Sequence, residues 1–298
     1  MLLDFFHPNI LALLSAIFVS CTRLTQRYAL DRVSEFWINL IFAIITGIFG
    51  WLFYSLDIVP LSFPWEGILL FMAVGFFSPF AGRYIYLIAI KLTGLARSTI
   101  VAQTVLVWSA LFAVFVLGEG MTILNIIGTG LIMLSSMLVV YDRNSTEKQK
   151  IPIYYYLVPA LSALMYAFSH LIGKTAFTFI PSSTFGMAIS NTTCLSILLV
   201  MLPFRKGTVL KKGSKKGSKK GIIFILFGSV TQSLAILCFW SAMKLGNMTQ
   251  VIPLSRLSIL LIVFMTWLFF RDEEKLTYRI FVGAVLALAG AYGVVYGK

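Results

Sequence analysis

The chain of 298 residues is 59% hydrophobic and 12% charged, with a formal net charge of +13 and a mean hydropathy of +0.93. A soluble globular domain is nearer 45–50% apolar and about 25% charged, so this composition excludes a soluble fold. A helix needs about 20 apolar residues to cross the hydrocarbon core of a bilayer. The length therefore accommodates about ten such helices and no sizeable domain outside the membrane.

Apolar runs follow one another along the whole chain. We predict helices over 9–30, 35–55, 66–91, 95–117, 122–141, 152–175, 183–202, 221–245, 249–270 and 276–297. Only helices are possible for spans of this kind, because lipid cannot satisfy the open backbone groups of other structures. Tryptophan and tyrosine cluster near several predicted ends, as is typical of the membrane–water interface. The sequence thus predicts an all-α integral membrane protein with ten transmembrane helices.

Little in the sequence suggests chemistry outside the membrane. The cysteines Cys21, Cys194 and Cys238 all lie in apolar runs and none belongs to a CxxC pair, so neither a disulfide nor a zinc site is predicted. No cofactor, metal ion or nucleic-acid partner is expected; the expected partners are a small-molecule substrate and the lipid bilayer, and a homodimer is left open. The first residues, MLLDFFHPN, lack the basic region of a cleavable signal, so the first helix is predicted to be retained.

Basic residues are divided unevenly between the two sets of predicted loops. Eighteen Lys and Arg lie in loops after odd-numbered helices, eight of them in the segment RKGTVLKKGSKKGSKKG at 205–221, and three lie on the opposite side. Because positive charge marks cytoplasmic loops, we expect the odd-helix loops to be cytoplasmic and the protein to reside in the plasma membrane. The 205–221 segment is interpreted as a flexible loop that sets topology, with docking onto anionic lipid headgroups as the alternative.

The chain repeats itself at an interval of about 150 residues. The matching segments are LLSAIFVSCTRLTQRYA (13–29) with ALSALMYAFSHLIGKTA (160–176), AIKLTG (89–94) with AMKLGN (242–247), and GEGMTILNIIGTGLIMLSSMLVVY (118–141) with EEKLTYRIFVGAVLALAGAYGVVY (273–296). We place the two five-helix repeats at 1–147 and 148–298. Five is an odd number, so the second repeat must be inverted relative to the first. Inverted repeats are common in secondary transporters, whose substrate site lies near the midplane where the repeats meet.

These repeats, together with the AIKLTG and AMKLGN segments and the Gly-containing helices after them, resemble the EamA-type carriers of the drug/metabolite transporter superfamily. The resemblance covers essentially the whole chain. It implies a small-metabolite exporter with a central cavity lined by helices 1, 3, 4, 6, 8 and 9. Such proteins often carry a proline early in helices 4 and 9. This chain departs from that pattern, with Pro253 in helix 9 and no proline in the VAQTVLVW segment of helix 4.

Four ionisable side chains fall inside the apolar runs: Arg23, Arg83, His170 and Arg256. All eleven Asp and Glu lie in loops or at helix ends. A charge at the bilayer centre costs about 2.5–3.5 kcal/mol, so these side chains should face a cavity or a partner. We predict a hydrated cationic cavity whose arginines hold the carboxylate or phosphate of an anionic or zwitterionic substrate. The alternative is that the side chains of Arg23 and Arg256 extend to a membrane interface. This alternative explains Arg83 least well.

Neutral polar and aromatic residues extend this candidate site. Gln103 in helix 4 is the repeat partner of Arg256, and Gln232 lies in the middle of helix 8. Aromatic candidates for the cavity wall are Tyr84, Tyr86, Trp108 and Tyr166. The predicted substrate-binding residues are Arg83, Arg23, Arg256, His170, Gln103 and Gln232, and no catalytic or metal-binding residue is predicted.

The favoured function is secondary transport of a small metabolite, an amino acid or another carboxylate-bearing compound, in the export direction. The alternative is a flippase of the same superfamily for a phosphate-bearing or lipid-linked substrate. A membrane enzyme is disfavoured, because acid–base or metal-assisted chemistry needs interior carboxylates. Proton coupling would fall to His170, and uniport or exchange is equally compatible with the sequence.

Overall fold

The computed structural model describes residues 3–30, 33–57, 62–93, 98, 101–143, 152–204, 218–261 and 278–297. Its long helices, labelled in chain order, are α1 (Pro8–Leu30), α2 (Glu35–Leu56), α3 (Trp65–Thr93), α4 (Val105–Phe115), α5 (Ile123–Arg143), α6 (Leu157–Phe179), α7 (Ser183–Met201), α8 (Ser218–Leu245), α9 (Met248–Ser255) and α10 (Tyr278–Tyr296). Helices α1, α2, α3, α6, α7 and α8 are long and apolar enough to cross a membrane, and the other four are shorter apolar helices. The all-α fold with ten helices is confirmed, whereas residues 205–217 of the Lys-rich segment lie outside the described residues.

The inverted repeat is visible in hydrogen bonds that occur twice. The Ser15 hydroxyl of α1 donates to the Ala235 carbonyl of α8 at 3.0 Å, and the Ser162 hydroxyl of α6 donates to the Gly82 carbonyl of α3 at 2.8 Å. Ser15 and Ser162 are equivalent in the repeat, and the 153-residue offset that aligns AIKLTG with AMKLGN also aligns Gly82 with Ala235. The α1–α8 contact and the α6–α3 contact are therefore two copies of one interface. The boundary between repeats at 147 and 148 stays a prediction.

Helices α5 and α10 pack against each other through glycine. A Cβ atom on Gly128 would lie 2.6 Å from the Gly290 carbonyl oxygen, and a Cβ on Gly290 would lie 2.6 Å from that of Gly128. The Ser135 hydroxyl donates to the Gly283 carbonyl at 2.6 Å in the same interface. Small residues allow backbones to approach this closely in membrane helices, where packing rather than water exclusion drives association.

Helices α2 and α7 form a second close pair. The Thr46 hydroxyl donates to the Asn191 side-chain oxygen at 2.7 Å, and Gly50 lies directly against the backbone of Ala188. Both hydrogen-bonding side chains are fully buried, so the bond satisfies polar atoms that lipid could not. The α2–α7 pair packs against α3 and α8, whereas the α5–α10 pair packs against α9.

Candidate functional site

Helices 4 and 9 are both interrupted at the same position of the repeat. Residues 101–102 are helical, a turn follows at Gln103 and Thr104, and α4 begins at Val105. In the second half α9 ends at Ser255, a turn follows at Arg256, and helical backbone resumes over 258–261. Discontinuous helices near the membrane midplane are the usual location of substrate sites in transporters built from inverted repeats.

The two interruptions have the same backbone hydrogen bond. The Leu106 N–H donates to the Gln103 carbonyl at 3.0 Å, and the equivalent Ile259 N–H donates to the Arg256 carbonyl at 3.2 Å. These three-residue bonds tighten the backbone locally in place of the four-residue bonds of an α-helix. Of these two interrupted helices only α9 contains a proline, Pro253, so proline does not explain the break before α4. There the Val101 carbonyl accepts hydrogen bonds from both the hydroxyl of Thr104 at 2.8 Å and its N–H at 3.0 Å.

A π-helical segment within α3 precedes Arg83. Residues Phe76–Gly82 form a π-helix that includes Pro79, and regular α-helix resumes at Arg83. Proline has no N–H to donate, so the α-helical hydrogen-bond ladder cannot continue unchanged through this position. Single π-helical turns inside helices occur frequently at functional sites. This π-helical segment was not predicted, although the Ser78-Pro79 pair is a signal of it in the sequence.

The Arg83 side chain lies inside the protein and does not extend to a membrane surface. It is 5% exposed, its guanidinium donates to the Asn39 side-chain oxygen at 3.4 Å, and its Cζ lies 5.5 Å from the centre of the Phe42 ring. Both partners belong to α2, a helix that the sequence analysis left out of the cavity wall. The partners of Arg83 therefore lie on a helix outside the set of six that the resemblance implied for the cavity wall.

Arg23 points across the bundle from α1 to α3. Its guanidinium carbon lies 4.5 Å from the centre of the Tyr86 ring, and one of its N–H groups donates to the Gln26 side-chain oxygen at 3.3 Å. An arginine over a tyrosine face is attracted by the ring quadrupole, which holds the side chain in place. This orientation is inconsistent with extension along α1 to an interface.

Arg256 and His170 extend the row of cationic candidates. Arg256 is partly buried, and its Nε atom is enclosed without a hydrogen-bond partner in the described part of the chain. His170 is 5% exposed, with its Nδ1 atom 3.2 Å from the Ser109 hydroxyl of α4 and its ring 5.2 Å from that of Phe239. The two residues lie within electrostatic range of each other.

The structure brings the three arginines into one cluster, the interior cationic cluster, consisting of Arg23, Arg83 and Arg256. Arg23 lies within electrostatic range of both of the others, and Tyr166 lies within range of Arg83 and Arg256. Like charges inside a protein repel more strongly than in bulk water, because the effective dielectric constant is lower there. The described carboxylates are all at helix ends or in loops, at positions Asp4, Glu35, Asp57, Glu66 and Glu119.

The two predicted glutamines differ in their surroundings. Gln103 is 1% exposed, and neither its Oε1 nor its Nε2 atom has a hydrogen-bond partner among the residues described. A buried amide in that condition costs free energy unless a further group satisfies it. Gln232 is partly buried on α8, and no described contact connects it to the interior cationic cluster. Among the aromatic candidates, Tyr86 and Tyr166 lie at the cluster, whereas Trp108 is 38% exposed.

Charged side chains fix the start of α9 and hence the position of Arg256. The Glu119 carboxylate accepts hydrogen bonds from the N–H groups of Met248 at 2.8 Å and Thr249 at 2.9 Å. The Lys174 ammonium donates to the carbonyls of Met243 at 2.8 Å and Gly246 at 2.6 Å, at the end of α8. An anion at a helix N-terminus and a cation at a helix C-terminus both complement the helix dipoles.

Inverted five-helix repeats that enclose discontinuous helices and interior cations define a membrane transporter. The chain belongs to the EamA-like transporter family, whose model matches residues 8–141 and again 153–296. A solved crystal structure, described only as that of a protein, is similar with a TM-score of 0.79 over 97% of this chain and 98% of that one. At 16% identity this likeness shows the fold alone. No curated protein matches the sequence.

The family match confirms the resemblance to EamA-type carriers of the drug/metabolite transporter superfamily, and it gives the protein's class of function. The protein is a multi-pass membrane transporter of small molecules.

Proposed function

We propose that this transporter carries an anionic metabolite, an amino acid or another carboxylate-bearing compound, out of the cell across the plasma membrane. The observation that supports the proposal is the interior cationic cluster, in which Arg23 lies within electrostatic range of both Arg83 and Arg256. Arginine binds a carboxylate through two parallel N–H···O bonds, and such charge-assisted bonds are about twice as strong as neutral ones.

Transport then follows from the symmetry of the scaffold. The two copies of the α1–α8 interface and the interruptions at Gln103 and Arg256 are related by the inverted repeat, so the same packing can be rearranged toward either membrane face. With the loops after odd-numbered helices in the cytoplasm, export means that the cluster receives substrate in the state open to the cytoplasm and releases it in the state open to the outside. His170, beside Arg256, is the group through which a proton would be coupled.

The test is transport by the purified full-length chain in liposomes, against a panel of amino acids, other carboxylates, sugar phosphates and lipid-linked sugars. Arg256→Gln and Arg23→Gln each remove one charged hydrogen-bonding fork, worth about 1.5–3 kcal/mol per bond to a charged group, so transport should fall roughly tenfold or more. The matched control is Arg143→Gln, the same chemical change at the last residue of α5.

The proposal is supported if the wild type transports a carboxylate, if the transport rate falls in the two interior variants, and if it persists in Arg143→Gln. Selective flipping of the lipid-linked sugar would instead favour the flippase alternative. Wild-type rates in both interior variants, or transport of neutral and cationic compounds only, would refute an anion site at the cluster.

A further inference from the structure

The interior cationic cluster holds more positive charge than one carboxylate can balance. Arg23 lies within electrostatic range of two like charges, Arg83 and Arg256. Within the described part of the chain no carboxylate lies among them, since each occupies a helix end or a loop. A singly charged substrate would leave most of this repulsion in place, and the ammonium group of an amino acid would add a further cation.

The hydrogen-bonding capacity of the cluster is also only partly used. Among the described residues the Arg83 guanidinium has one hydrogen-bond partner, Asn39 at 3.4 Å, and the buried Nε of Arg256 has none. Both side-chain atoms of Gln103, the repeat partner of Arg256, are likewise buried without a described partner. A guanidinium carries five N–H donors, so several donors remain for acceptor oxygens of a ligand.

We infer that the substrate carries at least two negative charges and no ammonium group, as a dicarboxylate or a phosphate monoester does. This inference rests on the proposed anion transport and narrows it. One acidic group is held by Arg256, and the second lies toward Arg23 and Arg83. The partly buried Arg23 and Arg256 contact the substrate, while Arg83 adds its charge from behind, anchored on Asn39 of α2.

The first experiment compares ligands that differ in charge but little in size. The unfolding midpoint of the purified full-length chain is measured at constant ionic strength against succinate and butyrate, glutamate and glutamine, and glycerol phosphate and glycerol. Succinate or glycerol phosphate should stabilise the protein at concentrations at least tenfold lower than butyrate, glutamate or glycerol require. Which of the two is effective distinguishes a dicarboxylate from a phosphate substrate.

Equal stabilisation by succinate and butyrate overturns the inference and leaves the proposed anion transport intact. Stronger stabilisation by glutamate than by succinate likewise overturns the inference and leaves the proposed anion transport intact. If no anion in the series stabilises the protein, both the inference and the proposed function are wrong. Stabilisation by chloride as strong as that by succinate also overturns the inference, since one inorganic charge then suffices.

The second experiment changes the charge of the cluster without changing its shape. Gln26 is 4% exposed and its side-chain oxygen accepts from Arg23, so Gln26→Glu retains this bond and adds one negative charge. The preference for succinate over butyrate should fall at least tenfold in this variant. The matched control is Gln149→Glu, in the predicted loop between helices 5 and 6. An unchanged preference in Gln26→Glu overturns the inference, and the ligand series in the wild type decides it independently if this variant does not fold.

Discussion

The contact between α5 and α10 allows a stability prediction with an internal control. An alanine at position 128 would place its Cβ 2.6 Å from the Gly290 carbonyl oxygen and 2.8 Å from the Val294 nitrogen. Both obstacles are backbone atoms, so no side chain can rotate to make room. Two residues further along α5, Gly130 has no atom within 4 Å of the position that its Cβ would occupy. Gly128→Ala and Gly130→Ala therefore make the same chemical change in a crowded and in an open place.

The magnitude follows from the difference between the variants. Alanine favours a helix over glycine by about 0.8–1.0 kcal/mol, and this gain is common to both. Close C···O contacts between helices are about 3.3–3.6 Å, so Gly128→Ala must separate α5 from α10 by roughly 1 Å. Overpacking of this kind costs about 1–3 kcal/mol. We expect Gly128→Ala to be less stable than Gly130→Ala by that amount, and Gly130→Ala to be at least as stable as the wild type.

The assay is thermal unfolding of the purified full-length chain in one detergent, with size-exclusion chromatography before heating to confirm that each variant is folded. The change of midpoint is about 2–4 °C per kcal/mol for domains of 150–250 residues, so the gap between the variants should reach several degrees. A Gly128→Ala protein that unfolds at or above the midpoint of Gly130→Ala would refute the argument that backbone approach, rather than helix propensity, controls this interface.

Two further substitutions test how the site is held. Glu119→Gln removes the charge from the cap on α9 and faces an amide donor toward one of the two N–H groups, so we expect a loss of about 1–2 kcal/mol in the same unfolding assay; an unchanged midpoint would mean that the two described bonds add nothing to stability. Asn39→Ala removes the hydrogen-bond acceptor of the buried Arg83, which should cost about 1–3 kcal/mol of stability and weaken binding of the anion identified in the transport panel. Unchanged affinity would mean that the bond to Asn39 does not position Arg83 for binding.

The ten helices and their repeat were predictable because lipid imposes a strict rule. Every spanning backbone must satisfy its own polar groups, so hydropathy alone locates the helices. The observed bounds of eight helices agree with the predicted runs to within about five residues, whereas α4 and α9 are interrupted inside their predicted runs, before Val105 and after Ser255. The interior arginines were predictable for a related reason, since charge inside an apolar run is costly and rare.

Other features depend on contacts between residues distant in sequence. Asn39 is one polar residue among many in the sequence, and only the packing of α2 on α3 makes it the partner of Arg83. The turn at Gln103 has no proline to indicate it, and the Ser78-Pro79 pair indicates a disturbance of α3 without indicating that it takes the form of a π-helical turn. Such local departures from the α-helix are set by tertiary packing, which a hydropathy pattern does not encode.

The two halves share their scaffold but not their chemistry. The serine bonds of Ser15 and Ser162 repeat faithfully, whereas Arg23 is equivalent to His170 and Gln103 to Arg256. A symmetric scaffold gives two conformations of similar energy, one open to each membrane face. The two repeats exchange their conformations between these two states. A substrate molecule has no such symmetry, and transport in one direction does not treat the two membrane faces alike. The side chains that bind it must therefore differ between the halves, so departures from the repeat inside a conserved packing frame point to the binding residues.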